Sequence, residues 1–448
     1  MSGLRLEDPA VQARLATFLE TASGQQVRLI HCAPLMGGAI QENWLISAEL
    51  DGEHQDMVLR TDAPSKLAVS HGRAAEFALL QAAHRAGVTV PAPLWLCQDH
   101  NVLGQDFYLM RAMPGVAAGH RLVRDKKLGG DRARLAERLG AELARIHSIK
   151  PGEPGLEFLE LPRQGTGLDQ IALLRADLNC RKEGHPVLEW GLRWLERRAA
   201  PGGEIVLLHH DLRTGNYLVD EQGLTAILDW EFAGWGEPMT DIGWFCAKCW
   251  RFGANDLEAG GISSRADFYR GYETASGRRI DPTSVHYWEV MAHLRWAVIA
   301  LQQADRHLSG AEHSLELALT GRLLPELERN IIELVAPGPW PVPASPAAAA
   351  AQPDGSVLLA EARRLLMQEF LPLLPEARHY ELRMVGNAMA IAGRELAALG
   401  SQGPDNKALA LAIRAGRHDD DESLRDRLAA DVLARLAISN PKALTIAE

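Results

Sequence analysis

Between residues 27 and 60, apolar residues gather among a few polar ones in three short runs, 27–32, 44–50 and 55–60. Runs of this length and composition read as strands. Asp51 and Gly52 separate the second run from the third, a loop composition that closes a tight hairpin. Between the first and second runs lies Leu35-Met36-Gly37-Gly38-Ala39, a turn whose paired glycines let backbone N–H groups approach a ligand. A helical period follows over 72–86, with Ala75, Leu79, Ala82 and Ala83 on one face, and two more strands, around 92–98 and 107–111, complete a small sheet.

From 114 to 334 the pattern reverses. Long helical periods dominate, interrupted near residue 205 by short strands. Residues 132–147 place Leu135, Leu139, Leu143 and Ile146 on one stripe and end at His147, expected to be a buried, hydrogen-bonded histidine. Residues 336–353 contain six prolines and no apolar period, the composition of an extended linker. Beyond it, helical stripes recur at Leu358, Ala362, Leu365 and Leu366, at Val385, Met389, Ala392, Leu396 and Leu399, and at Leu424, Leu428 and Val432. The expected fold class is α+β: a strand-rich lobe over 1–113, a larger helical lobe over 114–335, the linker, and an all-helical domain over 354–448. Clefts between such lobes are where ligands bind.

Composition narrows the partners. A chain of 448 residues with 47% hydrophobic and 23% charged residues has the balance of a soluble globular protein, and its length suits two or three domains. The net charge of −11 lacks the basic footprint that nucleic acid or an anionic membrane needs. The charged opening segment does not read as a secretory signal, and no apolar run is long enough to span a membrane. Five cysteines without framework spacing indicate a reducing compartment, so the expected location is the cytoplasm. Cys246 and Cys249 form an isolated CxxC in an aromatic-rich helical segment and read as packing thiols.

The chemistry concentrates in residues 205–230. Four apolar residues lead into His209-His210-Asp211-Leu212-Arg213-Thr214-Gly215-Asn216, and strands are expected over 217–220 and 224–228, joined by a turn at Gly223. Such a hairpin brings Asp229 back beside Asn216, so that two oxygen ligands face one site. That donor set suits Mg²⁺ carried on a nucleotide, which takes only one or two protein oxygens besides phosphate and water. Asp211 can accept a proton from an incoming hydroxyl. Arg213 on the same loop joins Asp211 and His209 in the candidate catalytic set, with His209 expected to pack and hydrogen-bond the loop. The pattern meets the needs of phosphoryl transfer: in-line positioning and neutralised charge.

These segments resemble the aminoglycoside phosphotransferase and choline kinase-like family over roughly residues 25–334. HHDLRTGN resembles the family's catalytic loop, ILDWE its metal-binding segment, and GEPMTDIGW the motif that follows. The resemblance implies a bilobal protein-kinase-like fold and ATP and Mg²⁺ as cosubstrate and cofactor. It also implies Asp211 as base, Asn216 and Asp229 as metal ligands, and Asp241 as a brace of the catalytic loop, beside the plainer reading of Asp241 as a helix N-cap. The family places a lysine on the third strand, paired with a helix glutamate, to hold the nucleotide phosphates. Here Arg60 occupies that position and Glu76 is its expected partner. Gly37 and Gly38 fall at the nucleotide loop, and Met110 and Ala112 fall in a segment that resembles the hinge against adenine.

The expected acceptor is a small-molecule hydroxyl, with the helical tail offering a surface for a protein partner or self-association. The resemblance is nearest to kinase domains fused to acyl-CoA dehydrogenases, which implies a hydroxyacyl-CoA. Residues 251–310 carry 7 Arg and Lys against 7 Asp and Glu, which gives no acidic trough for a polycationic aminoglycoside. Trp288, Arg295 and Trp296 are candidate contacts for an apolar chain and a phosphate, against helix packing as the plainer role. Two alternatives stand beside this reading: a catalytically weak nucleotide-binding module that regulates through its tail, and an aminoglycoside kinase.

Overall fold

Helix α1 (Pro9–Ser23) begins at Asp8, whose side chain caps it, and buries Leu15 and Leu19. The three apolar runs become β1 (Val27–Pro34), β2 (Gln41–Leu50) and β3 (Glu53–Asp62), each longer than the run that predicts it. The ladder explains the extra length: β2 and β3 pair without a break from Gln41↔Asp62 to Leu50↔Glu53, so backbone bonds carry the strands through polar ends. At the turn both Asp51 (φ 48°) and Gly52 (φ 86°) are left-handed, as a two-residue hairpin with the twist of its strands requires.

In this computed structural model the described residues are 6–35, 41–62, 70–199, 202–310, 312, 314–341, 355–398 and 406–444. Gly37 and Gly38 lie outside them. After α2 (Arg73–Arg85), β4 (Pro93–Cys97), the short α3 (His100–Leu103) and β5 (Phe107–Arg111) complete a five-stranded antiparallel sheet ordered β1-β2-β3-β5-β4. Trp44, Ile46, Ala48 and Leu50 from β2 and Met57 and Leu59 from β3 bury one face together with Leu15 and Leu19 of α1. The period of two then sends Arg60 to the other face.

The helical part continues with α4 (Gly119–Arg124), α5 (Arg132–Ile146), α6 (Thr166–Asn179) and α7 (Pro186–Glu196). Asp131 caps α5 by accepting the N–H groups of Ala133 and Arg134. Its predicted stripe, Leu135, Leu139, Leu143 and Ile146, is buried, worth about 1.5–3 kcal/mol for each side chain. Four short strands follow: β6 (Val206–Leu208), β7 (Tyr217–Val219), β8 (Leu224–Ile227) and β9 (Gly234–Gly236). β6 pairs with β9 and β7 with β8, both antiparallel. Helices α8 (Met239–Cys246), α9 (Arg265–Ser276), α10 (Pro282–Leu308), α11 (Leu315–Gly321), α12 (Leu324–Val335), α13 (Gly355–Leu365), α14 (His379–Ala397), α15 (Asn406–Arg414) and α16 (Leu424–Ser439) complete the chain.

The contacts divide the chain into two compact units, residues 1–166 with 201–289, and 167–200 with 290–448. Every candidate catalytic, nucleotide and metal residue named above belongs to the first, whereas the candidate substrate contacts Arg295 and Trp296 belong to the second. Within the second, α15 packs against α7 and α16 against α12. Arginines fasten the packing: Arg414 pairs with the buried Glu189, Arg193 lies 2.7 Å from Asp419, and Arg435 pairs with the buried Glu328. The tail therefore shares its unit with helices that the hydrophobic pattern assigned to the lobe before the linker. Of the three tail stripes, Leu424, Leu428 and Val432 are buried, whereas Leu358, Val385 and Leu396 are exposed. Among the described residues no helix is long and apolar enough to cross a membrane.

Candidate active site

The loop from His209 to Asn216 leaves the buried strand β6 and re-enters structure at β7, so both its ends are anchored in hydrophobic core. Its start is held by Asp241 in the first turn of α8. Asp241 Oδ2 accepts the His209 N–H (2.7 Å) and Oδ1 the His210 N–H (2.8 Å). His147 adds a contact from Nε2 to Asp241 Oδ2 at 3.3 Å, and its Nδ1 lies 2.9 Å from the Tyr272 hydroxyl. Burial pushes the Asp241 carboxyl upward, but the His147 hydrogen bond and charge outweigh it and leave the group at about 2. The helix cap is Pro238 and not Asp241, so the carboxylate serves the loop instead of its own helix. His147 is fully buried, and that burial lowers its pKa against the pull of Asp241.

His209 is also fully buried. Its Nε2–H donates to the Leu228 carbonyl (2.9 Å), its Nδ1 accepts the Asp211 N–H (3.2 Å), and its ring tilts over Trp230. Both ring nitrogens are committed to the loop's shape. His210 adopts φ 62°, and Asp229, at the far end of the β7–β8 hairpin, adopts the same value. Two left-handed non-glycine residues, one inside the loop and one just past the hairpin, are strain of about 1–3 kcal/mol each, kept only where surrounding bonds over-determine the backbone.

The Asp211 carboxylate is held from three directions. Asn216 Nδ2–H donates to Oδ2 (2.6 Å) and also to the Asp211 carbonyl (2.9 Å). On Oδ1, the Trp244 indole N–H donates at 3.1 Å and Arg213 Nε lies at 3.3 Å. The Arg213 guanidinium sits 4.6 Å above the Trp250 ring, and Trp250 in turn contacts Trp244. Trp244 closes the GEPMTDIGW segment but carries no expected role of its own. Its place three residues after Asp241 on one helix does not say what it touches.

Pairing of Tyr217 with Ile227 and the Leu228 N–H bond to the Asn216 carbonyl (2.9 Å) bring Asp229 beside Asn216. Asp229 Oδ1 lies 2.8 Å from Arg60 Nη2, and the same nitrogen lies 3.0 Å from Glu76 Oε1, so the expected Arg60–Glu76 pair is present. Glu76 also pairs with Arg73, which reaches Asp62 at 2.9 Å. Arg73 went unnoticed in the sequence, although it stands one helical turn before Glu76. Burial raises the Asp229 carboxyl, but the charge and hydrogen bond of Arg60 bring it below its ordinary value. Glu231 is pushed up to about 7, first by burial, with Arg60 opposing and Glu76 adding to the rise, and its Oε2 has no hydrogen-bond partner.

Two guanidinium groups, Arg60 and Arg73, thus face four carboxylates: Asp62, Glu76, Asp229 and Glu231. This surplus of negative charge suits a divalent cation. The donors that fit one are hard oxygens, the Asn216 carboxamide oxygen, left over once Nδ2 is bound to Asp211, and the Asp229 carboxylate. Among the described residues no group of three or more His, Cys, Asp or Glu could hold a metal ion by itself.

At the hinge, Met110 is in β5, whose neighbours are β3 and β4, and the Ala112 N–H is committed to the Asp56 carbonyl (3.0 Å). With that N–H committed, Ala112 has only its carbonyl, an acceptor, to offer a ligand. Trp288 does not line the site. It is buried beneath α8, where Gly243 lets the helices approach: a Cβ there would lie 2.5 Å from Trp288 Cβ. Arg295 and Trp296 belong to the second unit. Cys246 is in the core, its thiol pushed up to about 12 by burial.

Comparison with known proteins agrees with this geometry. The profile of a domain of unknown function matches residues 372–443. Acyl-CoA dehydrogenase family member 10 of Mus musculus is 26% identical over 288 residues, 60% of this chain and 26% of that protein. Family member 11 of Gallus gallus is 30% identical over 178 residues, 37% of this chain and 22% of that protein. The chain spans about a quarter of the length of these two relatives. Among solved structures, a candidate aminoglycoside phosphotransferase of Ralstonia eutropha JMP134 superposes with a TM-score of 0.58 at 21% identity, covering 72% of this chain and 98% of the other. Spectinomycin phosphotransferase, crystallised with ADP and spectinomycin, gives 0.51 at 13% identity with the same coverage. Those two establish the kinase-like fold. The profile of the phosphotransferase enzyme family matches residues 31–281, more than half of the chain, and the protein is a member of that family.

Proposed function

We propose that the chain is an ATP- and Mg²⁺-dependent phosphotransferase whose acceptor is a hydroxyl of a small molecule, with a hydroxyacyl-CoA as the favoured class. The observation that carries the reading is the convergence of Asp211, Asn216 and Asp229 in one cluster, beside a guanidinium held between Glu76 and Asp229. Asp211 takes the acceptor's proton while the hydroxyl oxygen forms its bond to the γ-phosphorus. The bond to the β-phosphate oxygen breaks, and ADP leaves with the electron pair. Arg60 neutralises phosphate oxygens as a planar fork. Asn216 and Asp229 would hold Mg²⁺, which would supply neutralisation of the phosphate charge. Arg213 stands beside the base, where it can meet the transferred group. Gly37 and Gly38 are proposed to cover the phosphates.

Support for the acyl thioester comes from the relatives, whose names carry acyl-CoA dehydrogenase, and from the balanced charge of residues 251–310. The test measures ADP release from purified protein with a 4-hydroxyacyl-CoA and with a panel of aminoglycosides, with mass spectrometry to place the phosphate. Turnover with the thioester is expected. Efficient phosphorylation of an aminoglycoside, with none of any hydroxyacyl-CoA, overturns the acceptor but not the mechanism. Asp211→Asn should lower turnover by about 10²–10⁴-fold with Mg·ADP binding kept. More than about a tenth of wild-type turnover removes Asp211 from the base role.

A further inference from the structure

We infer that Trp244 is a positioning residue that selects which oxygen of Asp211 receives the acceptor's proton, an inference that rests on Asp211 being the base. An ionised carboxylate offers about four lone-pair positions. Trp244 Nε1–H donates to Oδ1 at 3.1 Å, the Arg213 guanidinium is paired with the same oxygen with Nε at 3.3 Å, and Asn216 Nδ2–H at 2.6 Å occupies one position of Oδ2. The position clear of the guanidinium and of both donors is on Oδ2, and it is there that an incoming hydroxyl meets the base. With no donor at Trp244, only the looser Arg213 contact would hold Oδ1, and the carboxylate could turn about its Cβ–Cγ bond.

The indole is itself well fixed. Trp244 and Asp241 stand three apart on α8 and so share a helix face. One holds the side chain of the base, and the other holds the backbone of the loop that carries it. Behind them Gly243 brings α8 against Trp288 of α10, at a distance that admits no Cβ. The Trp250 ring, 5.1 Å from that of Trp244, lies under Arg213 and keeps the second Oδ1 contact in place. Loop and base are therefore registered to one short helix.

The experiment uses the full chain with Mg·ATP, water serving as acceptor, and calorimetric titration with Mg·ADP. Trp244→Phe keeps a ring against Trp250 but removes the N–H donor. Turnover is expected to fall about tenfold or more while Mg·ADP affinity stays within about twofold, the split that marks an interaction used in the chemical step and not in nucleotide binding. In an Asp211→Asn background the same substitution should change residual turnover by less than about twofold, because the effect passes through that carboxylate. Additive losses in the double variant would mark a merely structural role and overturn the inference, as would Trp244→Phe turnover equal to wild type. Absence of both Mg·ADP binding and ADP release in the wild type overturns the phosphotransferase reading beneath it. Should Trp244→Phe not fold, or water prove too poor an acceptor to follow, the indole N–H resonance of Trp244 is compared in wild type and Asp211→Asn by ¹⁵N NMR. A shift is expected on loss of the charged acceptor, and an unmoved resonance overturns the proposal.

Discussion

Replacing Asp241 by asparagine tests how the catalytic loop is held. The change preserves size and shape, and a simple size argument expects little loss. The geometry expects a large one. Both carboxylate oxygens accept backbone N–H groups, from His209 at 2.7 Å and His210 at 2.8 Å, and Oδ2 also faces His147. A carboxamide can accept on one side only, and its NH₂ would point at an N–H on the other. Hydrogen bonds to a buried charge contribute roughly 1.5–3 kcal/mol each, so one lost bond plus one donor-to-donor contact gives about 3–5 kcal/mol. Part is offset because burying the carboxylate is itself unfavourable. His210 would also lose the bond that holds its left-handed backbone. We expect Asp241→Asn to lose about 3 kcal/mol in urea unfolding at unchanged m-value, close to Asp241→Ala, with turnover reduced alongside.

Acid titration gives a second reading of the same group. Asp241 titrates at about 2, below an ordinary aspartate near 3.8, so it contributes stability fully above the unfolded value. That contribution, about 2 kcal/mol, is lost as pH falls through roughly 4 to 2, and the asparagine variant should lack this limb. A variant within about 1 kcal/mol of wild type at neutral pH, with an unchanged acid limb, would refute the argument.

Three further outcomes are expected. Arg60→Ala should raise the KM for ATP about tenfold or more with folding retained, since Glu76 keeps Arg73 as a partner; an unchanged KM in steady-state kinetics would remove Arg60 from the phosphate site. Asp229→Ala should weaken Mg²⁺-dependent ADP binding in calorimetry, and equal affinities with and without the substitution would contradict the metal assignment. Arg435→Ala should cost about 3 kcal/mol by leaving the buried Glu328 unpaired, with most of the loss restored by adding Glu328→Gln; a chemical denaturation series in which the single variant matches wild type would count against that pair as a fastening of the tail.

What the sequence determined by itself was the part of the protein written in short range. Hairpin turns are local, so Asp51-Gly52 and Gly223 set the registers that place Arg60 on the face opposite the buried Leu59 and Asp229 beside Asn216. The stripe of α5 and the spacing from Asp211 to Asn216 were likewise legible, because helix and strand periods turn sequence distance directly into direction. Tertiary structure decided contacts between residues far apart in the chain. Asp241 reaches back across more than thirty positions to the loop's N–H groups, and Trp244 to the base. Trp288 gave an aromatic signal on a helix, yet the approach permitted by Gly243 buries it. The placing of the tail was hidden for a related reason. Its α15 and α16 are fastened by Arg414, Asp419 and Arg435 to partners in α7 and α12, and charged residues on a helix carry no pattern that tells a buried pair from a solvated one. Local periodicity states which face of an element is apolar, and only packing states what that face, or the charge beside it, will meet.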